Sequence, residues 1–146
     1  QCPRLRLVIA GEGPEKDKLA ALARELGVQE QVCFAGWISG GMDPFYAALD
    51  INALTSLSET FPYALTDGTR FHLATVATAV GGIPYLIDQD VNGYLFQPGD
   101  WQALGGYLAA LGNDDDLRHR LGEKLYEKAS TRFSIQKTVA TLLQIY

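Results

Sequence analysis

The chain has 146 residues, of which 47% are apolar and 20% charged, with a formal net charge of −5. That length and balance suit a globular chain able to bury a core. They exclude a helical membrane span, because no apolar run reaches about 18 residues. They also exclude nucleic acid as the partner, because the lysines and arginines are scattered and phosphate neutralisation needs a clustered basic face.

Gln1-Cys2-Pro3-Arg4 is not followed by the apolar region of a signal peptide. Residues 5–10, LRLVIA, predict a short buried strand closed by GEGP. Pro14 is placed to open a helix at its first position, where a missing N–H costs nothing. Leu19, Leu22, Ala23 and Leu26 then recur at helical spacing until Gly27. Residues 31–36 predict a second strand. Cys33 lies in its apolar run and reads as a core thiol; with no Cys-x-x-Cys pair, the cysteine usage points to a reducing compartment. The Gly-rich GWISGGM leads into a short helical turn, DPFYAALD, and INAL (51–54) is a third strand. A helix begins near Pro62. LATVAT (73–78) is a fourth strand, VGGIPYLI a turn with a short helix, and YLF (94–96) a fifth strand.

From QPGD onward the chain reads as helix in three pieces. Asn113 before three aspartates is read as a helix cap followed by acids that favour the helix dipole. In the last piece Val139, Leu142, Leu143 and Tyr146 form an apolar stripe that must pack on this domain or on a partner.

Apolar strands alternating with helices predict an α/β fold: a doubly wound parallel sheet with helices on both faces. Ligands in such sheets sit outside the carboxyl ends of the strands. GEGP is a weak phosphate loop, since it lacks a third glycine and carries Glu12. TSLSETFP offers the hydroxyls of Thr55, Ser56, Ser58 and Thr60 and the N–H groups of a helix start, an anion site in principle. Ser58 or Thr60 would equally serve as a plain helix cap. In AVGGIP, Gly81 and Gly82 let backbone approach a ligand or simply make a tight turn. Asp67 reads as a solvated helical acid on spacing alone, His72 as a helix-end residue and His119 as solvated. No histidine has partners at metal-binding spacing.

In their order these segments resemble the C-terminal, donor-binding domain of family-four retaining glycosyltransferases of the two-domain GT-B architecture. The resemblance is carried by LRLVIAGEGPEKDKLAALARELGV, VCFAGW, FYAALDINALTSLSETFPYAL, VATAVGGIPYLI, VNGYLFQPGD and RFS. It implies a UDP- or GDP-sugar as substrate, with no cofactor and no metal. It implies that Glu59, the first acid of an acid-x7-acid motif, hydrogen-bonds the donor sugar. The second acid, Asp67, would hold the ribose hydroxyls. The amides of Thr60 and Phe61, with Ser58 alongside and with Gly81 and Gly82, would face the sugar or diphosphate. Gly36 and Trp37 would lie by the nucleobase.

The sequence departs from the family pattern in places. Asp67 stands for Glu. Gly68-Thr69-Arg70-Phe71-His72 replaces Ala-Met-Ala-x-Gly. The proline expected near Ala74 is absent, and Tyr85 stands for Glu. The strand and helix whose Arg and Lys neutralise the donor diphosphate would precede residue 1, so residues 1–146 read as a single domain, most of a donor domain, inactive alone. The acceptor, a glycan or lipid-linked glycan of polysaccharide biosynthesis, would belong to the absent N-terminal domain. Exposed sheet edges would favour self-association. The location implied is cytoplasmic, or peripheral at a membrane for the full-length protein. The alternative is a degenerate, non-catalytic binding module. A dinucleotide oxidoreductase fits poorly, for want of the third glycine and the ribose-binding acid.

Overall fold

The computed structural model describes residues 5–145, apart from the side chain of Thr138. Cys2 and Tyr146, both singled out above, lie outside the described residues. The chain forms two compact units, Gln1–Phe45 and Tyr46–Tyr146.

In the first unit, β1 (Leu7–Ala10) pairs in parallel with β2 (Val32–Gly36), linked by α1 (Lys16–Glu25) and a 3-10 turn at Gln29–Gln31. Pro14 does not open α1. It stands two residues ahead of Lys16, whose amide donates to the Gly13 carbonyl in a turn. Gly27 ends the helix as expected, at φ +67°, a region where a Cβ is penalised. Of the predicted apolar face only Ala23 is buried, while Leu19, Leu22 and Leu26 stay exposed, as do Leu7 and Val8. Cys33 is not a core thiol: it is exposed. Strand side chains alternate between faces, and Cys33 points the same way as its neighbour Val8 in the register, onto a face the described residues leave uncovered.

The second unit holds a three-stranded parallel sheet in the order β3 (Ile51–Leu54), β4 (Ala74–Thr78), β5 (Tyr94–Phe96). All of β4 is buried, which is why LATVAT shows no polar alternation. Ala74 and Val76 join Phe96, Leu111 and Leu121 in one apolar cluster, against α5 (Trp101–Asn113) and the first half of α6 (Asp115–Arg132). Ala77 joins a second cluster with Leu65 of α3 (Tyr63–Thr69), Ile83 and Leu86 of α4 (Ile83–Leu86), Ile87 and Leu125. The class is therefore α/β with parallel strands.

The cap of α6 is Asp114, not Asn113. The Asp114 carboxylate accepts from the Leu117 amide at 2.8 Å, whereas Asn113 is the last residue of α5 and donates to the Ala109 carbonyl. A cap side chain must sit outside the helix to reach inward, and α5 runs one residue too far for Asn113 to do so. Asp114→Ala should therefore cost about 1 kcal/mol in urea unfolding, with Asn113→Ala costing clearly less. The reverse order would contradict this cap.

The final helix, α7 (Ile135–Ile145), leaves its apolar stripe in solvent: Val139, Leu142 and Leu143 are all exposed, Leu143 by 76%. Of the two alternatives for this stripe, packing on this domain does not occur among the described residues, and packing on a partner is the one left.

Candidate functional site: the loops after β3 and β4

Two loops meet at the carboxyl ends of β3 and β4. Residues 55–62 follow β3, and residues 79–82 follow β4. Thr78, the buried last residue of β4, donates its hydroxyl to the Ser56 carbonyl at 2.7 Å. The Ser56 hydroxyl donates to Oε1 of Glu59 at 2.6 Å. The Gly82 amide donates to the Thr60 carbonyl at 2.8 Å. Gly81 sits at φ +53°, and a Cβ there would lie 1.5 Å from the Glu59 carbonyl oxygen. A Cβ on Gly82 would lie 2.2 Å from the Thr60 carbonyl oxygen. The two glycines are thus what lets the loops touch. Glu59 is half-buried, while Ser58 and Thr60 are exposed. Phe61 stacks on Phe133 with ring centroids 5.3 Å apart, an ordinary offset geometry.

Neither Ser58 nor Thr60 caps the following helix. The residue flanking α3 is Pro62, with no side-chain cap bond, and Ser58 and Thr60 precede it in the chain. The helix is held instead through the Ala64 carbonyl. Asn52 of β3 donates to the Ala64 carbonyl at 3.0 Å, and the Tyr46 hydroxyl reaches the same oxygen at 3.4 Å. A Cβ on Gly68 would lie 2.6 Å from the Asn52 side-chain nitrogen, which explains a glycine at this helical position. Asp67 is half-buried on α3. Burial, and then the charge of Asp67, push the Tyr46 hydroxyl above its usual range.

His72 is a structural residue at the end of α3. Its φ is +55°, its amide donates to the Thr69 carbonyl, and its ring stacks on Tyr126 with centroids 4.3 Å apart. Its Nδ1 lies 2.7 Å from Oε1 of Glu123. Stacking and the Glu123 contact offset the cost of a left-handed conformation in a non-glycine residue. Tyr85 of α4 is 75% exposed, and nothing in the structure explains a tyrosine there.

Gly36 and Trp37 belong to the first unit. Gly36 closes β2 at φ +68°, its carbonyl accepting from the Gly11 amide at 2.7 Å. Trp37 follows with 76% of its surface exposed. Among the described residues no group of three or more His, Cys, Asp or Glu side chains is placed to hold a metal. No helix among them is long and apolar enough to cross a membrane. A surface cleft of about 320 Å³ between residues 88–92 and α6 shares no residue with the two loops.

The family model described as Glycosyl transferases group 1 matches residues 1–128. The chain belongs to the group 1 glycosyl transferases. It is 28% identical over 141 residues to the N-acetyl-alpha-D-glucosaminyl L-malate synthase of Bacillus anthracis, covering 97% of this chain and 37% of that protein. The crystal structure of Anabaena Alr3699/HepE in complex with UDP superposes with a TM-score of 0.86 at 26% identity, over 99% of this chain and 42% of that one. The C-terminal domain of a group 1 family glycosyl transferase (LpcC) from Francisella tularensis superposes with a TM-score of 0.83 at 30% identity, over 92% of this chain and 72% of that one. This glycosyl transferase chain therefore spans about two fifths of the length of the curated relatives it matches, and has the fold of the C-terminal half of GT-B enzymes.

On the sequence alone Ser56 offers a hydroxyl but no particular role. Its spacing three residues ahead of Glu59 was the available signal. Thr78, Glu123, Tyr126 and Phe133 left no such signal, because each meets its partner only across the fold.

Proposed function

We propose that this chain is the donor-binding part of a retaining glycosyltransferase. It would bind a nucleoside-diphosphate sugar, from which the sugar passes to a glycan or lipid-linked acceptor held by the rest of a longer protein. The observation carrying this reading is the Glu59 carboxylate held at the carboxyl ends of parallel strands, where α/β sheets present their ligand sites. Support comes also from the Anabaena relative, whose structures include complexes with UDP and with UDP-glucose.

In this reading Glu59 accepts hydrogen bonds from donor-sugar hydroxyls and Asp67 from the ribose. Ser58 and the amides of Thr60 and Phe61 face the sugar or diphosphate, and Gly81 and Gly82 permit close backbone approach. Gly36 and Trp37 are proposed base contacts on the first unit. No metal is assigned a role. The apolar residues left exposed on α1 and β1 support a covering segment or a second copy. A cytoplasmic or membrane-peripheral setting in polysaccharide biosynthesis belongs to the same proposal.

Calorimetric titration with UDP-glucose, UDP and GDP tests it. Glu59→Ala should weaken UDP-glucose by about tenfold or more, the worth of a hydrogen bond to a charged group, and leave UDP unchanged. No heat with any of the three from a folded sample would favour a non-catalytic module. The departures at Gly68 and His72 do not themselves favour that module, since both have local packing reasons.

A further inference from the structure

We infer that Ser56 is a positioning residue for Glu59, and that Thr78 anchors it. The inference deepens the donor-binding reading of Glu59 and rests on it. A free glutamate explores many rotamers, and fixing one costs side-chain entropy. Here the carboxylate is already fixed. The Ser56 hydroxyl donates to Oε1 at 2.6 Å, within the short range of a hydroxyl bonded to a carboxylate.

Ser56 is itself held. Its carbonyl accepts from the Thr78 hydroxyl at 2.7 Å, and Thr78 is buried at the end of the central strand β4. The main chain of Glu59 and of Thr60 abuts Gly81 and Gly82. Both the backbone and the head group of Glu59 are therefore tied to β4 and the turn after it. A carboxylate has about four acceptor positions on two oxygens. Ser56 occupies one on Oε1, which leaves about three positions for neighbouring hydroxyls of a ligand, two of them on Oε2. Holding those positions in place before binding removes an ordering cost of about 0.5–1.5 kcal/mol from the complex.

The test is calorimetric titration of this chain with UDP-glucose and with UDP, for the unsubstituted protein, Ser56→Ala, Ser56→Thr and Glu59→Ala. Ser56→Ala should weaken UDP-glucose by about three- to tenfold, the rotamer cost converted to affinity, and leave UDP within about twofold. Ser56→Thr keeps the hydroxyl and should restore most of the loss. A serine that merely stabilised the loop would weaken both ligands alike and lower Tm in step.

Equal weakening of both ligands, no weakening, or no rescue by threonine would each overturn the positioning role. If Glu59→Ala loses the sugar increment while Ser56→Ala does not, the role of Ser56 falls and the donor reading stands. If neither ligand binds the unsubstituted chain, or Glu59→Ala changes nothing, the donor reading falls and takes Ser56 with it.

Discussion

Gly81→Ala should destabilise the protein by at least about 3 kcal/mol and abolish UDP-glucose binding. Two costs combine. An L-residue at φ +53° is penalised by about 1–2 kcal/mol relative to glycine. The new Cβ would also fall 1.5 Å from the carbonyl oxygen of Glu59 and 2.6 Å from its carbonyl carbon. These are backbone atoms, so no rotamer change relieves the clash, and overpacking of this kind costs about 1–3 kcal/mol or more. One of the two loops must move. Glu59 moves with it, and the Gly82–Thr60 hydrogen bond is broken. Urea unfolding measures the stability and titration with UDP-glucose the binding. A variant that unfolds within about 0.5 kcal/mol of the parent, the range of neutral surface changes, would show that the loops do not meet as described.

Gly122→Ala has the opposite expected sign from helix propensity alone. Inside a helix, alanine is better than glycine by about 1 kcal/mol. Gly122, however, lies where α6 crosses the end of α3. A Cβ there would stand 1.9 Å from the His72 carbonyl oxygen, 2.7 Å from its carbon and 3.3 Å from the Ala74 amide nitrogen. Opening that crossing would pull His72 off Tyr126 and Glu123 and loosen α6 from the buried cluster around Leu125. A net loss of about 2–4 kcal/mol is expected after the propensity gain. Gly105 of α5 is the control, because a Cβ there meets nothing within 4 Å. Gly105→Ala should raise stability by up to about 1 kcal/mol. If thermal unfolding shows both alanines stabilising, the close crossing of α6 over His72 is wrong.

How much of this was legible beforehand depends on the range of each interaction. β3 was read to the residue because INAL is bounded by polar and turn residues on both sides. β4 was legible because its uninterrupted apolar and β-branched run suits only a strand buried on both faces. Cys33 shows the same reason in reverse: its apolar surroundings in sequence predict a core thiol, and the structure leaves it exposed. An apolar run marks a strand but does not say whether anything covers each of its faces. The cap at Asp114 was missed by one residue because four successive polar residues offer equivalent caps, and only the end of α5 chooses among them.

The acid pair at Glu59 and Asp67, and the glycines at 81 and 82, came from local pattern and family resemblance. What the pattern could not supply was the reason for each. Glycine at 81, 82 and 122 is demanded by backbone from a segment roughly 20 to 50 residues away, as the paired residue numbers show. His72, unexplained as a sequence feature, is a left-handed helix end held by two side chains of α6.

The sequence by itself determined the order of strands and helices, the α/β class and the family, because periodicity, turn residues and motif spacing are local along the chain. Only the tertiary structure decided which hydroxyl holds Glu59, which glycines are obligatory and which apolar stripes remain bare. Those depend on surfaces brought together by strand pairing and helix packing, and one-dimensional spacing carries no record of them.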